Sequence, residues 1–583
     1  AIVDMNEKIL DECIIKNINE MNMIKMIKIS INVSTLEMTN IVGMIILLIL
    51  SISIAPLYLM FSNSTEIEAS SNDNNSINYL KLKNKSTSLS TIYSEKYQTL
   101  IHNQINKQKK LNNYTFQHPL LIRNPYGTNT TAVYMYFKTT EELQASYTIH
   151  CDNYANFSQT LNTNTLSGYT TEHEYLLIGA IPNQTNTITV ALTNKQGKVV
   201  DTLSWSYNAP SLQGGDQYLT VECDDSNTSS LSNGLYTVLG NDVTEESEEQ
   251  AYMRLYDNYG IIRSEIPIVS YRSQRILFEN NTMYFSISST KIVGMEQTGY
   301  VSKIYDTGNY KLHHDYIFDS NNNILVLASE KEAKTSEDKI IMIEKDSGNI
   351  TELVDLIDLL PDYYSTTSLP DGAEDLDWMH INSLALVDKT SLIISSRETS
   401  TIIKLDNIYS NPTIDYMIGS DNFWQESGYD SLLLNKTNDF SMQAGQHCVT
   451  YVDDNSLPQG QYYLYLYNNN LAVSTTRPDY DWKSDLNYSN TYYNLKKGTS
   501  YYYKYLVDEN NRTVELVSSI PVAYSGYVSS VQELDGNVII DRGIAISWSE
   551  YSQDGTLLRT FKTTGGKFVY RVFKYDYLDY WFQ

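Results

Sequence analysis

The segment HINSLALVDKTSLIISSR, residues 380–397, has the pattern of a strand, a polar turn and a second strand, and it opens on a histidine. Two other segments have the same form: HDYIFDSNNNILVLAS at 314–329 and HCVTYVDDNSLPQGQYYLYLY at 447–467. Their opening histidines lie 66 and 67 residues apart. A period of this size is typical of one supersecondary unit repeated around an axis, as in propeller blades. If each histidine takes the same place in its unit, the fold brings all three together.

The pattern of the remaining chain also favours an all-β protein. Short alternating strands with Gly-containing turns predict a small β-sandwich over 111–215. From 216 to 583 hairpins follow one another with Asp, Asn and Gly at their turns, which predicts a propeller of five or six blades. Residues 62–110 are rich in Ser, Asn, Thr and Lys. This composition predicts a polar stalk with a helical piece near 92–110.

A long apolar run lies before these regions. Residues 41–61 form 21 consecutive residues without a charge, enough for a helix to span a bilayer. Lys25 and Lys28 precede the run, and no Lys or Arg follows it before Lys81. The positive-inside rule therefore predicts a cytoplasmic tail at 1–40, a single-pass membrane anchor and an extracellular main body. A cleaved signal segment, which would give a secreted protein, is the alternative.

Charge and motifs exclude several classes of function. The formal net charge of −27 argues against nucleic-acid binding, which needs a basic surface. The chain contains neither G-x-x-x-x-G-K-[ST] nor G-x-G-x-x-G, so we expect no nucleotide donor. Its four cysteines form no zinc spacing and no disulfide framework, although Cys151 and Cys223 could pair. Cys448 is expected to be a buried thiol.

The histidine segments contain a set of residues that could bind an oxyanion. Strand alternation places His380 and Asn382 on one face, and the hairpin returns Arg397 to the start of the strand. An imidazole, an amide and a guanidinium could together hold a tetrahedral oxyanion.

A zinc site made by the three histidines is the chemical alternative to oxyanion binding. Asp315 and Asp377 are the carboxylates that could support such a site. The nearby Arg397 would repel a metal cation, so we expect no metal and no cofactor.

The element DWMHINSLALVDKTSLIISSRETSTIIKLD resembles the signature of the bacterial arylsulfate sulfotransferases. The resemblance extends to HHDYIFDSNNNILVLAS, GQHCVTYVDD, YVSSVQELDGNVIIDRG and, near 123–139, RNPYGTNTTAVYMYFKT. It covers about 111–583 and implies a six-bladed propeller after a small β domain. The implied activity is transfer of a sulfuryl group from a phenolic sulfate donor to a phenol acceptor, without PAPS or a metal. A homodimer is compatible with it.

The resemblance also implies roles for individual residues. His447 would be the nucleophile, sulfated transiently in a ping-pong mechanism. His380, Asn382 and Arg397 would bind the sulfuryl oxygens, and His314 would lie near the phenolic oxygen. A register slip of one residue would give that place to His313 instead. Some members carry a disulfide near the nucleophile, whereas here only Cys448 is nearby.

Two other functions remain compatible with the sequence. The propeller could be a non-catalytic, surface-anchored domain that binds glycans or proteins. It could also be an arylsulfate hydrolase, in which water replaces the phenol acceptor.

Overall fold

The computed structural model describes residues 66–68, 77–215, 219–224, 228–242, 250–270, 272–488, 498–564 and 566–583. The predicted membrane segment at 41–61 lies outside these ranges, and the anchor and its orientation stay predictions. No helix within the described ranges is long and apolar enough to cross a bilayer.

The first domain is a small β-sandwich built around one long strand, β4. Two short helices and seven strands form it: α1 (Leu89–Ile92), α2 (Glu95–Leu111), β2 (Tyr79–Lys81), β3 (Leu120–Arg123), β4 (Val133–His150), β5 (Phe157–Thr160), β6 (Thr170–Leu177), β7 (Thr185–Thr193) and β8 (Val199–Asn208). A short strand, β1 (Glu66–Glu68), comes before them. The first half of β4 pairs with β3 and β6, and its second half pairs with β5 and β7. Buried and exposed residues alternate along β7, as on a strand that covers a core with one face.

Part of the predicted polar stalk is packed rather than solvated. Helix α2 buries Tyr97, Ile101 and Ile105, which lie four residues apart and therefore share one face. That face joins the hydrophobic core that the sandwich shares with the first propeller blades. Composition suggested a stalk because the opposite face of the helix carries the polar residues.

Six four- or five-stranded sheets follow, antiparallel except where the short β25 pairs in parallel with β29, and they confirm the predicted six-bladed propeller. The strands of the first three blades are β10 (Leu235–Asp242), β11 (Gln250–Tyr256) and β12 (Ile262–Val269); β13 (Leu277–Glu279), β14 (Thr282–Ser288), β15 (Lys291–Glu296) and β16 (Val301–Asp306); and β17 (Tyr310–Phe318), β18 (Ile324–Glu330), β19 (Lys339–Ile343) and β20 (Ile350–Asp355).

The strands of the last three blades are β21 (Ile381–Leu386), β22 (Leu392–Ser396), β23 (Thr401–Asp406) and β24 (Thr413–Ile418); β25 (Asn435–Lys436), β26 (His447–Val452), β27 (Gln461–Asn468), β28 (Thr499–Asp508) and β29 (Thr513–Ala523); and β30 (Ser530–Leu534), β31 (Asn537–Arg542), β32 (Ser547–Ser552) and β33 (Leu557–Lys562). Short helices connect some of them: α3 (Leu356–Leu359), α4 (Pro361–Tyr364), α5 (Asp421–Gln425) and 3₁₀ turns at Thr228–Ser230, Asp430–Leu432, Trp482–Ser484 and Gly543–Ala545.

Two strands from opposite ends of the propeller sequence close the ring. Strand β9 (Thr220–Asp224) pairs with β33 and becomes the outer strand of the sixth blade. Strand β34 (Phe568–Tyr575) pairs with β10 and becomes the inner strand of the first blade. Radial closure of this kind leaves few exposed sheet edges.

A buried ion cluster near the propeller axis connects four blades. Asp315 on β17 is fully buried and accepts hydrogen bonds from Arg275 at 2.7 and 3.0 Å and from Arg571 on β34 at 2.9 Å. The backbone N–H of Leu384 on β21 approaches the same carboxylate at 3.4 Å. Burial alone would raise the pKa of Asp315, but the two guanidinium groups lower it below its usual value. Asp315 is therefore a structural anion in this fold.

Candidate active site

The three repeated histidines meet at the inner strands of three consecutive blades: His314 is within β17, His380 directly precedes β21, and His447 begins β26. The His314 and His380 rings are 4.9 Å apart between their centroids. Tyr570, on the closing strand β34, lies 5.5 Å from the His314 ring and 6.1 Å from the His447 ring. The structure thus brings together the histidines that the period predicted, and it adds a tyrosine that the period could not indicate.

Each of these inner strands contains a β-bulge, which changes the direction in which the nearby side chains point. His314, His380 and Cys448 have left-handed backbone conformations, with φ of 49°, 47° and 58°. The strand register shifts between Leu312 and Tyr316 in one blade and between His447 and Thr450 in another. A non-glycine residue in this conformation has a higher backbone energy, which contacts with the surrounding structure have to offset. A bulge also interrupts the regular alternation of side chains between the two faces of the strand.

The hydrogen bonds of His447 fix its tautomer. Its Nδ1 lies 2.7 Å from Asn469 Oδ1 and 3.1 Å from the carbonyl oxygen of Gly445, which are both acceptors. Asn469 is itself oriented, because its amide nitrogen donates to the carbonyls of Ser525 and Val528. Nδ1 of His447 therefore carries the proton, and Nε2 keeps its lone pair.

Electrostatics keep His447 neutral. Burial lowers its pKa to about 3, and the positive charges of Arg397 and His380 act in the same direction. A neutral imidazole with a free Nε2 is the form that can attack an electrophile.

His380 has the opposite charge state. Its Nδ1 donates a hydrogen bond to Asp377 Oδ2 and lies 2.9 Å from Glu337 Oε2. Although burial opposes the charged form, Asp377 and Glu337 raise the pKa of His380 to about 10. His380 is thus an imidazolium at neutral pH.

His314 and His313 form a pair beside His380. Their Nδ1 atoms lie 2.9 Å apart, and His314 Nδ1 is 3.6 Å from Glu337 Oε2. Burial lowers the pKa of both histidines, most strongly that of His314. His314 is the member whose ring faces His380 and Tyr570.

Arg397 follows β22, and its positive charge acts on His380 and His447 of the histidine cluster. Among the described residues it has no side-chain hydrogen bond and no ion pair, and its backbone N–H donates to the carbonyl of His380 at 3.2 Å. A guanidinium in a partly buried site that makes no hydrogen bond or ion pair with the described residues is suited to bind an anion.

Asn382 occupies a different place from the one that strand alternation predicts. The β21 register shifts between Ile381 and Ser383, so Asn382 sits in the bulge. Its amide nitrogen donates to the carbonyl of Gln446 at 2.8 Å, and its buried Oδ1 has no partner among the described residues. The Asn382 amide therefore holds the chain next to His447, and its role toward a sulfuryl oxygen stays a prediction.

Five side chains in the cluster place possible metal-ligand atoms close together: His313, His314, Glu337, Asp377 and His380. Tetrahedral zinc with bonds of about 2.05 Å would hold two nitrogen ligands about 3.3 Å apart. The Nδ1 atoms of His313 and His314 are closer, at 2.9 Å, as are His380 Nδ1 and Glu337 Oε2. The positive charge of Arg397 also acts against the binding of a cation here.

Sequence reasoning missed Asn469, Glu337 and Tyr570. Asn469 belongs to an NNN run that indicates only a turn, and Glu337 lies in the loop between β18 and β19. Tyr570 reaches the site because its strand closes the ring, which no local pattern indicates. The cysteines add no disulfide to this region: Cys151 and Cys448 are buried free thiols.

Comparison with known proteins gives two family matches. A family described as Arylsulfotransferase (ASST) matches residues 220–572, and an Arylsulfotransferase Ig-like domain matches 120–209. No curated protein matches the chain.

Solved structures with a similar arrangement share little sequence with this chain. One is a candidate 6-phosphogluconolactonase from Bacteroides uniformis, with 11% identity, a TM-score of 0.33 and coverage of 74% of this chain and 99% of that chain. Another is an auxiliary nutrient binding protein from Bacteroides ovatus, with 8% identity, a TM-score of 0.28 and coverage of 75% and 82%.

Proposed function

Because this chain belongs to the arylsulfotransferase family and is an aryl sulfotransferase, we propose that it works in two steps through a sulfated His447. The donor is a phenolic sulfate ester and the acceptor is a phenol, with no nucleotide donor. The observation that carries this proposal is the state of His447: a neutral imidazole, fixed by Asn469 with Nε2 free, close enough to Arg397 to be affected by its positive charge.

In the first step Nε2 of His447 attacks sulfur. The N–S bond forms while the bond between sulfur and the phenolic oxygen breaks, and the electron pair leaves with the phenolate. Asn469 holds the Nδ1 proton and so stabilises the positive charge that the ring acquires.

Arg397 supports both steps by binding the sulfuryl oxygens. A sulfuryl group in transfer resembles a transferring phosphoryl group, whose charge is spread over its equatorial oxygens. Fixed cations that face these oxygens stabilise the transition state without reorganisation. The imidazolium of His380 adds a second positive charge.

In the second step the acceptor phenol takes the sulfuryl group from His447. The N–S bond breaks, its electron pair returns to Nε2, and the phenol loses its proton to a base. Ping-pong kinetics follow from this sequence of steps.

Incubation with 4-nitrophenyl sulfate, with and without added phenol, tests the function. We expect nitrophenol release that depends on phenol, together with formation of phenyl sulfate. Equal release without phenol would identify a hydrolase, and a folded protein that releases none would favour the non-catalytic binding domain.

Replacing Arg397 by Gln should lower kcat/KM by about 10²–10³-fold, because a transition-state donor and its charge are lost. Thermal stability should stay within about 0.5 kcal/mol of wild type, since the substitution breaks no ion pair. Arg397→Lys keeps the charge without the planar fork and should retain more activity than Arg397→Gln. Steady-state kinetics and thermal unfolding measure the two effects; an Arg397→Gln variant with wild-type kcat/KM would contradict the assigned role.

A further inference from the structure

The histidine cluster contains two carboxylates to which the steps above assign no role. Glu337 reaches it from the loop between β18 and β19, and Asp377 lies three residues before His380. Both carboxylates contact the same atom, Nδ1 of His380.

We propose that Glu337 and Asp377 hold His380 as an imidazolium whose Nε2–H protonates the leaving phenolate and is restored by the acceptor phenol. Glu337 and Asp377 are positioning residues in this scheme, and His380 is the acid and base. The inference rests on the proposed sulfuryl transfer through His447. It assigns the proton to His380 and not to His314, the histidine that the family resemblance would place near the phenolic oxygen.

Charge balance favours a positive His380. Glu337 and Asp377 bring two negative charges to a site where Arg397 supplies one positive charge. An imidazolium at His380 makes these four groups neutral as a set. A neutral imidazole would leave an excess negative charge where an anionic sulfate ester has to bind.

The contacts of His380 leave its other nitrogen for the substrate. Nδ1 is committed to the two carboxylates, whereas Nε2 has no hydrogen-bond partner among the described residues. The same holds for Nε2 of His447, whose Nδ1 is committed to Asn469. Both imidazoles therefore use Nδ1 for protein contacts and present Nε2 for chemistry.

The pKa of His380 is close to the pKa of a phenol. The carboxylates raise its pKa to about 10 against the effect of burial, and a phenol has an ordinary pKa of about 10. A matched acid and base exchange a proton in either direction at little cost. His314 is unsuited to be the acid, because burial lowers its pKa well below 6.5 and leaves it neutral.

The proton balances over the two steps. In the first, the phenolic oxygen takes the electron pair of the S–O bond and the proton of His380 Nε2. In the second, the acceptor phenol returns a proton to the neutral His380 as its oxygen bonds to sulfur. His380 ends each cycle as an imidazolium.

Several titratable or charged groups surround His380 and enter its pH dependence. Asp377 is on its own segment, and the others come from the third, fourth and fifth blades: His313, His314, Glu337, Arg397 and His447.

Two sulfate esters whose phenolates differ in leaving-group ability test the inference. In Glu337→Gln and Asp377→Asn, sulfation of His447 by phenyl sulfate should slow by about 10²-fold, since general acid catalysis is lost. Sulfation by 4-nitrophenyl sulfate should slow by less than about 10-fold, because the nitro group stabilises the phenolate without a proton. Asp377→Glu should recover part of the loss. Glu374→Gln removes an exposed carboxylate from the same segment and should leave both donors unaffected.

The pH dependence gives a second readout. Sulfation of the wild-type enzyme by phenyl sulfate should fall only as pH rises through about 10, where His380 loses its proton. In Asp377→Asn this fall should move to lower pH. Equal slowing of both donors with an unmoved pH profile would overturn the inference and leave transfer intact. If wild-type enzyme forms no sulfated His447, the proposed function itself fails.

Labelled-histidine NMR of the wild-type enzyme does not depend on how the variants fold. The His380 signals should be those of an imidazolium at pH 8. A neutral His380 at that pH would overturn the inference even if every variant proved unstable.

Discussion

His447→Ala should lower sulfuryl transfer by at least about 10⁴-fold and abolish the sulfated enzyme, because the atom that accepts the sulfuryl group is removed. The residual rate would come from substrate binding and from Arg397. Nitrophenol release, measured beside the intact mass of enzyme trapped with donor alone, reports both effects.

His118→Ala is the matched control for this substitution. His118 is exposed in the first domain, so its loss should change neither the rate nor the sulfated fraction. His447→Ala protein with wild-type transfer would remove His447 from the mechanism. Loss of transfer with a sulfated enzyme still present would place the nucleophile elsewhere.

Asp315→Asn should destabilise the propeller by about 3–5 kcal/mol, because it leaves two buried guanidinium groups without their shared carboxylate. A buried charge that loses its partner is among the costliest single changes in a protein. The measurement is the midpoint of unfolding in urea, followed by tryptophan fluorescence.

The control for Asp315→Asn is an exposed ion pair. Glu142 and Lys195 lie 2.5 Å apart with about half of each side chain exposed, so Glu142→Gln should cost less than about 1 kcal/mol. The lowered pKa of Asp315 adds a pH signature. Its stabilisation is present above the carboxyl's unfolded pKa and is lost as pH falls through the folded value, whereas Asp315→Asn should lack this loss. Equal effects of the two substitutions would mean that the axial ion cluster contributes no more than a surface pair.

The sequence predicts the architecture well because blades are local units. Each blade is a set of consecutive hairpins, so its turn residues and alternating strands appear in order along the chain. The 66- and 67-residue spacings predict that His314, His380 and His447 lie at similar places in three blades. Arg397 is predictable for the same reason, since a hairpin returns it to the start of its own strand.

What the sequence does not predict depends on irregular backbone and distant contacts. The bulge between Ile381 and Ser383 interrupts the alternation from which His380 and Asn382 were expected to share one strand face. Glu337 contacts His380 from a neighbouring blade, and nothing in its local sequence distinguishes it from other surface glutamates. Helix α2 has the composition of a linker, and only its buried face reveals that it is part of a core.

Closure of the ring by β34 has a consequence for biosynthesis. Tyr570 lines the histidine cluster, and Arg571 completes the axial ion cluster, yet both lie in the last strand of the propeller. A nascent chain that has not yet emerged as far as Phe568 lacks one wall of the catalytic pocket and one half of the charge balance around Asp315. The complete site therefore forms only once β34 has been synthesised and has paired with β10.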